Sequence, residues 1–159
     1  MKRFWTPLLF VLCLGVFIGC QAQLPVDLSR FTGANAKLTD EEKIALVLED
    51  VQRGMEGRRV YQVLAHVSRN YEDRKGRNYE RLRDDLNLLL RNYRAINITR
   101  TPPNIQVQGD RARVIDTFGT IAESVSPLEY PPANLQGQVI IMMERFGDTW
   151  QIVEWGPVT

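Results

Sequence analysis

The stretch VIIMMERFGDTWQIVEW, residues 139–155, contains two apolar runs on either side of Gly147-Asp148. A glycine followed by an aspartate between two β-prone runs is typical of a tight hairpin turn. We therefore predict an antiparallel hairpin, with one strand over residues 139–146 and the other over residues 149–155.

Shorter strands are predicted upstream of this hairpin. Ile96 and Ile98 alternate with polar neighbours, and Pro102-Pro103 ends that run. Further alternation about a turn at residues 108–110 involves Ile105, Val107, Ala112, Val114 and Phe118. Residues 126–136, which contain prolines, are predicted to form a loop before the hairpin.

Three helices are predicted before the strands. The first opens with a capping box between Thr39 and Glu42, and Gly54 and Gly57 are expected to end it. Apolar residues recur at helical spacing in three groups: Ile44, Val47, Leu48, Val51 and Met55; Val60, Val63, Leu64, Val67 and Tyr71; and Tyr79, Leu82, Leu86, Leu89 and Tyr93. Helices followed by strands predict an α+β fold with an antiparallel sheet.

Several segments, taken in this order, resemble the nuclear transport factor 2-like (SnoaL-like) domain family. They are SRNYED at 68–73, Gly76, LNLLLRNY at 86–93, INI at 96–98, IQVQGDRARV at 105–114 and MMERFGDTWQIVEW at 142–155. The resemblance covers residues 38–155. It implies three N-terminal helices packed on a strongly bent, cone-shaped, cystatin-like sheet that encloses a pocket. Such folds host isomerases, dehydratases, cyclases and hydrolases as well as non-enzymatic binding modules, so the fold does not decide the function.

The N-terminal segment MKRFWTPLLFVLCLGVFIGC has the layout of a secretory signal, with a basic start, an apolar run and a small residue before Cys20. Its end, VFIGC, resembles a bacterial lipobox, which implies a lipid on Cys20. We predict a lipoprotein signal peptide over residues 1–19, the lipidated cysteine and a tether over 20–37, and the α+β domain over 38–159. A plain cleaved signal and an uncleaved anchor are the alternatives.

These features predict a lipid-anchored protein of the bacterial cell envelope. Gln21 follows the cysteine where an aspartate is associated with inner-membrane retention, which favours the periplasmic side of the outer membrane. Removing Lys2 and Arg3 from the 20 basic residues leaves 18 against 19 acidic ones. Because nucleic-acid binding needs a basic surplus, the composition argues against it.

Asp116 is the candidate catalytic residue, because it interrupts an apolar face made by Ala112, Val114 and Phe118. A buried carboxylate is costly unless it is paired or used. It is either a pocket acid or base of the isomerase kind, an aspartate bonded to a tyrosine or arginine, or a residue turned outward by a bulge. The other pocket candidates are Tyr71, Tyr79, Phe118 and Trp150.

Other chemistry finds little support in the sequence. His66, the single histidine, lies off the apolar stripe of its predicted helix. One histidine and no free thiol predict no metal site, and no cofactor is expected. Residues 73–76, DRKG, lack the spacing of phosphate-binding and calcium-binding loops and are expected to form a solvated turn.

The outer face of the sheet is expected to be covered, since residues 139–143 are apolar at every position. Met142, Val153 and Trp155 are the candidates for this face, and a homodimer through it is predicted. The alternative cover is the tether, with its apolar residues Leu24, Val26, Leu28 and Phe31.

The sequence leaves catalysis open and favours a domain without it. The leading hypothesis is a lipoprotein whose domain binds an envelope protein, a peptide or a small apolar ligand. The alternative is an isomerase or hydrolase of the ketosteroid-isomerase kind that uses Asp116. A third hypothesis is a purely structural dimeric accessory protein.

Overall fold

The computed structural model describes residues 37–159, where helices precede strands as predicted. The elements are α1 (Asp40–Glu56), α2 (Val60–Leu64), α3 (Tyr79–Asn92), β1 (Tyr93–Arg100), β2 (Asn104–Gln108), β3 (Arg111–Ser124), β4 (Ala133–Phe146) and β5 (Thr149–Trp155). The predicted signal peptide, Cys20 and the tether up to residue 36 lie outside the described residues. None of the helices described in residues 37–159 is long and apolar enough to cross a membrane.

The five strands form one antiparallel sheet that curls without closing. Strands β1, β3, β4 and β5 are neighbours in that order, and β2 also pairs with β3. β1 and β2 therefore share one edge of the long β3 strand, with Pro102-Pro103 between them. The inner face of the sheet packs on the helices, and the main core lies between them. Residues 37–159 form one compact unit that contains both described core clusters, as expected of a domain that folds on its own.

Helix α1 begins as the sequence predicts. The Glu42 backbone N–H donates to the Thr39 hydroxyl at 3.2 Å, and the Thr39 N–H donates to the Glu42 carboxylate at 2.7 Å. The prediction that Gly54 ends the helix is wrong, because α1 continues to Glu56. Gly54 is instead a contact point, since a Cβ there would lie 2.8 Å from Val63 Cγ2 on α2.

Helix α2 is shorter than predicted, because the chain after it leaves the helix and forms backbone hydrogen bonds with the sheet. It ends at Leu64, and residues 66–72 run along the free edge of β5. Ser68 N–H donates to Ile152 O at 2.9 Å, and Ile152 N–H donates to His66 O at 2.8 Å. An exposed strand edge carries unpaired backbone groups, and these bonds satisfy them. Val67 and Tyr71 are buried as predicted, but they lie in an irregular segment and not in a helix.

The opposite edge of the sheet, on β1, is held by side chains of α1. Glu56 accepts a hydrogen bond from the Ile98 N–H at 2.9 Å, and Gln52 donates to the Ile98 carbonyl at 2.8 Å. Both backbone groups of one edge residue are therefore satisfied by helix side chains. This contact fixes α1 across the concave face of the sheet.

A β-bulge in β5 reverses the expected orientation of Trp155. Ile152 lies opposite Met143 and Glu154 lies opposite Met142, so Val153 is an extra residue. The bulge places Trp155 opposite Ile141 on the inner face of the sheet. The prediction of Trp155 for the outer face is therefore corrected, while Met142 lies opposite Arg113 on that face, half-buried.

The turn before α3 is exposed at Arg74, Lys75 and Gly76, as expected, but it is built on a buried aspartate. Asp73 accepts hydrogen bonds from the backbone N–H groups of Lys75 and Arg77 and from Arg77 Nε at 2.6 Å. Burial by itself raises the pKa of Asp73, but these hydrogen bonds and the Arg77 charge hold it below its ordinary value. The carboxylate therefore stabilises the fold in its charged form.

We predict that Asp73→Asn lowers the free energy of unfolding at pH 7 by about 1–3 kcal/mol. Because the folded pKa is depressed, this contribution is complete above the ordinary aspartate pKa of about 4 and is lost as the pH falls through the folded value. The deficit measured by urea unfolding should therefore be larger at pH 7 than at pH 3. Asp84→Asn, on the exposed side of α3, is the matched control and should change little at either pH. An equal Asp73→Asn deficit at both pH values would contradict the charge argument.

Candidate functional site

A cavity of about 340 Å³ lies between α1 and the concave face of the sheet. Its wall is almost entirely apolar and includes Leu48 and Val51 from α1, Ile96 and Ile98 from β1, Phe118 and Ala122 from β3, Val139 and Ile141 from β4, and Trp155. Typical ligand sites span about 300–1,000 Å³, so the cavity is large enough for a small molecule.

One buried ion pair interrupts this apolar wall. Arg100 Nε donates to Asp116 Oδ1 at 2.9 Å, and Arg100 Nη2 lies 2.8 Å from Asp116 Oδ2. The two side chains are only 14% and 9% exposed. Both carboxylate oxygens are therefore engaged by one guanidinium, in the geometry that makes arginine–carboxylate pairs strong.

Arg100 also connects the sheet to the helix. Its Nη1 donates to the backbone carbonyl of Leu48, in the middle of α1, at 2.8 Å. These three contacts use three of the five N–H groups of the guanidinium. The pair thus lies in the wall of the cavity with a net charge of zero.

The mouth of the cavity is lined by exposed apolar side chains. Leu89 on α3, Leu135 on β4 and Val158 line the cavity and are also 40% or more exposed. Val158 follows β5 in a segment whose last residue, Thr159, exchanges backbone hydrogen bonds with Gln138. Its position requires Gly137, because a Cβ there would lie 2.4 Å from Val158 Cγ1.

Comparison with known proteins identifies this architecture. No family model matches the sequence, and no curated protein matches it either. Solved structures do match. A candidate scytalone dehydratase from Novosphingobium aromaticivorans shares 15% identity with a TM-score of 0.65, over 74% of this chain and 82% of its own.

Two further structures are similar. An NTF2-like superfamily protein from Salmonella enterica serovar Typhimurium is 13% identical with a TM-score of 0.62, over 75% of this chain and 92% of its own. A protein of unknown function with a cystatin-like fold from Nostoc punctiforme is 15% identical with a TM-score of 0.55, over 77% and 95%.

The domain has the NTF2-like fold. The fold class expected from the sequence, helices followed by a bent antiparallel sheet, is confirmed. At these identities the similarity establishes the fold and leaves the function to the site itself.

The NTF2-like domain brings only some of the predicted pocket residues to the cavity. Asp116 and Phe118 line it. The structure places Tyr71, Tyr79 and Trp150 in the solid core instead, each less than 10% exposed. Trp150 donates from Nε1 to Asp40 at 3.1 Å at the start of α1, and the Arg69 guanidinium lies 4.2 Å from the Tyr79 ring centre.

Burial raises the pKa of Tyr71 to about 12, with a further contribution from the neighbouring Asp73 charge. Its hydroxyl therefore stays protonated and donates to the Asp73 carboxylate at 3.4 Å. The Tyr71–Asp73 hydrogen bond stabilises the turn before α3. The Tyr71 hydroxyl therefore has a structural role.

His66 lies outside the cavity, as its position in the sequence indicates. Its Nε2 is 2.8 Å from the Asp50 carboxylate. Hydrogen bonds from His66 and then Arg53 hold the pKa of Asp50 well below its usual range. Within residues 37–159, no three histidine, cysteine or acidic side chains are grouped so that they could hold a metal ion.

Arg100 is the cavity-wall residue that the sequence did not single out, although an arginine was among the expected partners of Asp116. The signal was present, because Ile96, Ile98 and Arg100 continue one alternating face, as Val114 and Asp116 do on β3. An arginine and an aspartate that each interrupt an inward-facing run are expected to pair.

We predict that Arg100→Met destabilises the domain by about 3–5 kcal/mol at pH 7, since it leaves Asp116 charged and unpaired in the wall. Adding Asp116→Asn to Arg100→Met should recover part of the loss, because the amide carries no charge. Urea unfolding of both variants measures this. A loss below about 1 kcal/mol for Arg100→Met would contradict a buried, coupled pair.

Proposed function

We propose that the protein is a membrane-anchored lipoprotein whose NTF2-like domain binds a small apolar ligand without chemically changing it. The observation that carries the proposal is the open apolar cavity with an ion pair in its wall. A domain that served only as a scaffold would gain stability by filling such a space with side chains, since cavities are destabilising. An unfilled cavity of this size therefore favours a ligand.

The arrangement of polar groups supports binding over catalysis. A general base must reach a proton of its substrate with a free oxygen lone pair. Arg100 occupies one lone pair on each oxygen of Asp116, so a substrate would have to share this carboxylate with the guanidinium. Two other polar wall residues are similarly occupied, since the Tyr93 hydroxyl donates to Pro131 O at 3.2 Å and Gln52 donates to Ile98 O.

A second candidate function is an isomerase, dehydratase or hydrolase that uses Asp116. It is favoured by the position of this carboxylate in the cavity wall and by the similarity to a candidate scytalone dehydratase. This enzyme would need a second polar group free to act on the substrate. Thr120 is the remaining hydroxyl in the wall, and a threonine hydroxyl is a weak acid and a weak base.

The proposed location in the cell envelope is supported by the sequence alone. The signal layout and the lipobox-like VFIGC support a lipid on Cys20 and a location on the periplasmic side of the outer membrane. An envelope protein partner and a homodimer through the Met142 face remain part of the proposal. Half-buried Ile115, Ile140 and Met142 give that face an apolar centre.

The cavity is tested with the neutral apolar fluorophore N-phenyl-1-naphthylamine. We expect saturable binding to one site, and Ala133→Phe should weaken it at least tenfold because the ring enters the cavity. Asn134→Phe is the matched control, since Asn134 is exposed on the opposite face of β4, and it should bind like the unaltered protein. Equal binding by both variants, or no binding by the unaltered protein, would overturn the proposed ligand site.

The anchor is tested separately by Cys20→Ser. In cells given a radioactive fatty acid, the unaltered protein should carry label and sediment with membranes. The Cys20→Ser protein should carry none, because the thiol is the attachment point. Label that persists in Cys20→Ser would contradict lipid attachment at this residue.

A further inference from the structure

We propose that the exposed apolar residues around the cavity mouth form a membrane-docking surface that seats the mouth on a lipid bilayer. We call this surface the rim and define it as Leu89, Val125, Leu128, Leu135 and Val158. The docking can be tested without any knowledge of the ligand. Its use for loading the cavity rests on the proposed function.

Several contacts bring the rim residues to one end of the domain. The Val125 N–H donates to Asn92 O at 2.9 Å, so the loop after β3 is bound to the end of α3. The Tyr93 hydroxyl donates to Pro131 O, which fixes the other end of that loop. Leu89 lies one turn before Asn92, and Leu135 follows two residues after the loop meets β4.

The rim is far more exposed than an apolar cluster normally is. Leu128 is fully exposed, Val125 and Val158 are more than half exposed, and Leu89 and Leu135 are 42% and 40% exposed. Single exposed apolar residues are common on protein surfaces. A group of exposed apolar residues beside an apolar cavity differs from these single residues, because contiguous apolar patches mark interaction sites.

The loop that carries Leu128 is preorganised. Its sequence, SPLEYPP, places one proline before the leucine and two shortly after it, which restricts the backbone. Both Glu129 and Tyr130 donate backbone hydrogen bonds to Ser126 O. A leucine presented on a restrained turn loses little conformational freedom when it inserts into another phase.

A bilayer is the occupant that the rest of the chain favours. Cys20 precedes the first described residue by 17 positions, and an extended chain of that length spans at most about 60 Å. The described chain starts at the end of β4 opposite the rim, since Arg145 Nη1 lies 3.4 Å from the Asp40 carboxylate at the start of α1. A 14-residue strand is about 46 Å long, which is less than the reach of the tether, so a lipid on Cys20 would still let the rim reach the same membrane.

The charges beside the rim fit the headgroup region. Arg58, Arg91 and Arg94 are exposed at this end, and Arg58 donates to the Tyr93 carbonyl. Arg94 pairs with Glu123, and Glu129 lies in the loop itself. Three arginines against two glutamates leave a small positive excess, which adds a weak attraction to anionic lipids.

Docking would place the cavity mouth against the acyl-chain region. A membrane-borne molecule with one apolar chain could then pass into the cavity without crossing water. The ligand class that follows is a single-chain lipid or another slender apolar molecule from the bilayer, in keeping with a cavity of about 340 Å³.

The experiment uses residues 37–159, so that neither the lipid nor the leader contributes to binding. Co-sedimentation with vesicles of phosphatidylethanolamine and phosphatidylglycerol at 3:1 should show a bound fraction. Leu128→Ser should lower the apparent affinity at least fivefold. Phe146→Ser is the control, because Phe146 is also an exposed apolar residue, 42% exposed, and lies at the opposite end of β4 from Leu135.

The result expected is loss in Leu128→Ser and no change in Phe146→Ser. Absence of vesicle binding, or equal loss in both variants, would overturn the inference. A dimer in sedimentation equilibrium that Leu128→Ser abolishes, without vesicle binding, would also overturn it and assign the rim to a second copy of this chain.

The Ala133→Phe variant separates this inference from the proposed function. It should still bind vesicles, since Leu128 and the rest of the loop are unchanged, while its binding of N-phenyl-1-naphthylamine is lost. If the unaltered domain binds vesicles but its cavity takes up no fluorophore, the membrane-docking proposal is supported and the ligand-binding proposal is rejected. The two proposals can therefore fail independently.

Discussion

The Arg100 guanidinium is the point on which the arrangement of helix and sheet depends. It extends from β1, holds both oxygens of Asp116 on β3, and donates to the Leu48 carbonyl on α1. A buried arginine is stable only when its charge is matched and its N–H groups are satisfied. Because one planar group serves two other elements, it fixes how closely α1 can approach the sheet. A shorter or differently shaped side chain could not make all three contacts.

The cavity follows from this spacing and from the lengths of the strands. β3 and β4 each contain 14 residues, and they continue beyond the Arg100–Asp116 pair toward the loop that joins them. Beyond the pair the inward-facing positions include Ala122 and Ala133, which lie opposite each other. Two alanines leave space where larger side chains would meet α1 and α3. Hydrogen bonds satisfy both sheet edges, and the exposed lining residues Leu89, Leu135 and Val158 mark a side on which the space is open.

Much of this fold is predictable from the sequence, because it rests on local signals. The capping box, the strand alternation around Asp116 and the hairpin at Gly147-Asp148 depend on neighbours in the chain. The errors arise where distant elements override local pattern. Val67 and Tyr71 have helical spacing, yet their segment is not helical, because the backbone of His66, Ser68 and Glu72 bonds to the edge of β5. Trp155 alternates correctly until a bulge at Val153 shifts its face, and nothing near it in the sequence indicates the bulge.

The neutrality of the cavity wall constrains what it can select. Arg100 and Asp116 cancel each other's charge, so a charged ligand would lose its hydration without gaining a net counter-charge. An uncharged apolar ligand loses little on entry, and a single hydroxyl or carbonyl could use the N–H groups that Arg100 keeps beyond its three contacts. Selection would then depend on shape and on one hydrogen bond. Such a site suits a molecule delivered from a membrane, where apolar compounds are concentrated, better than one captured from water.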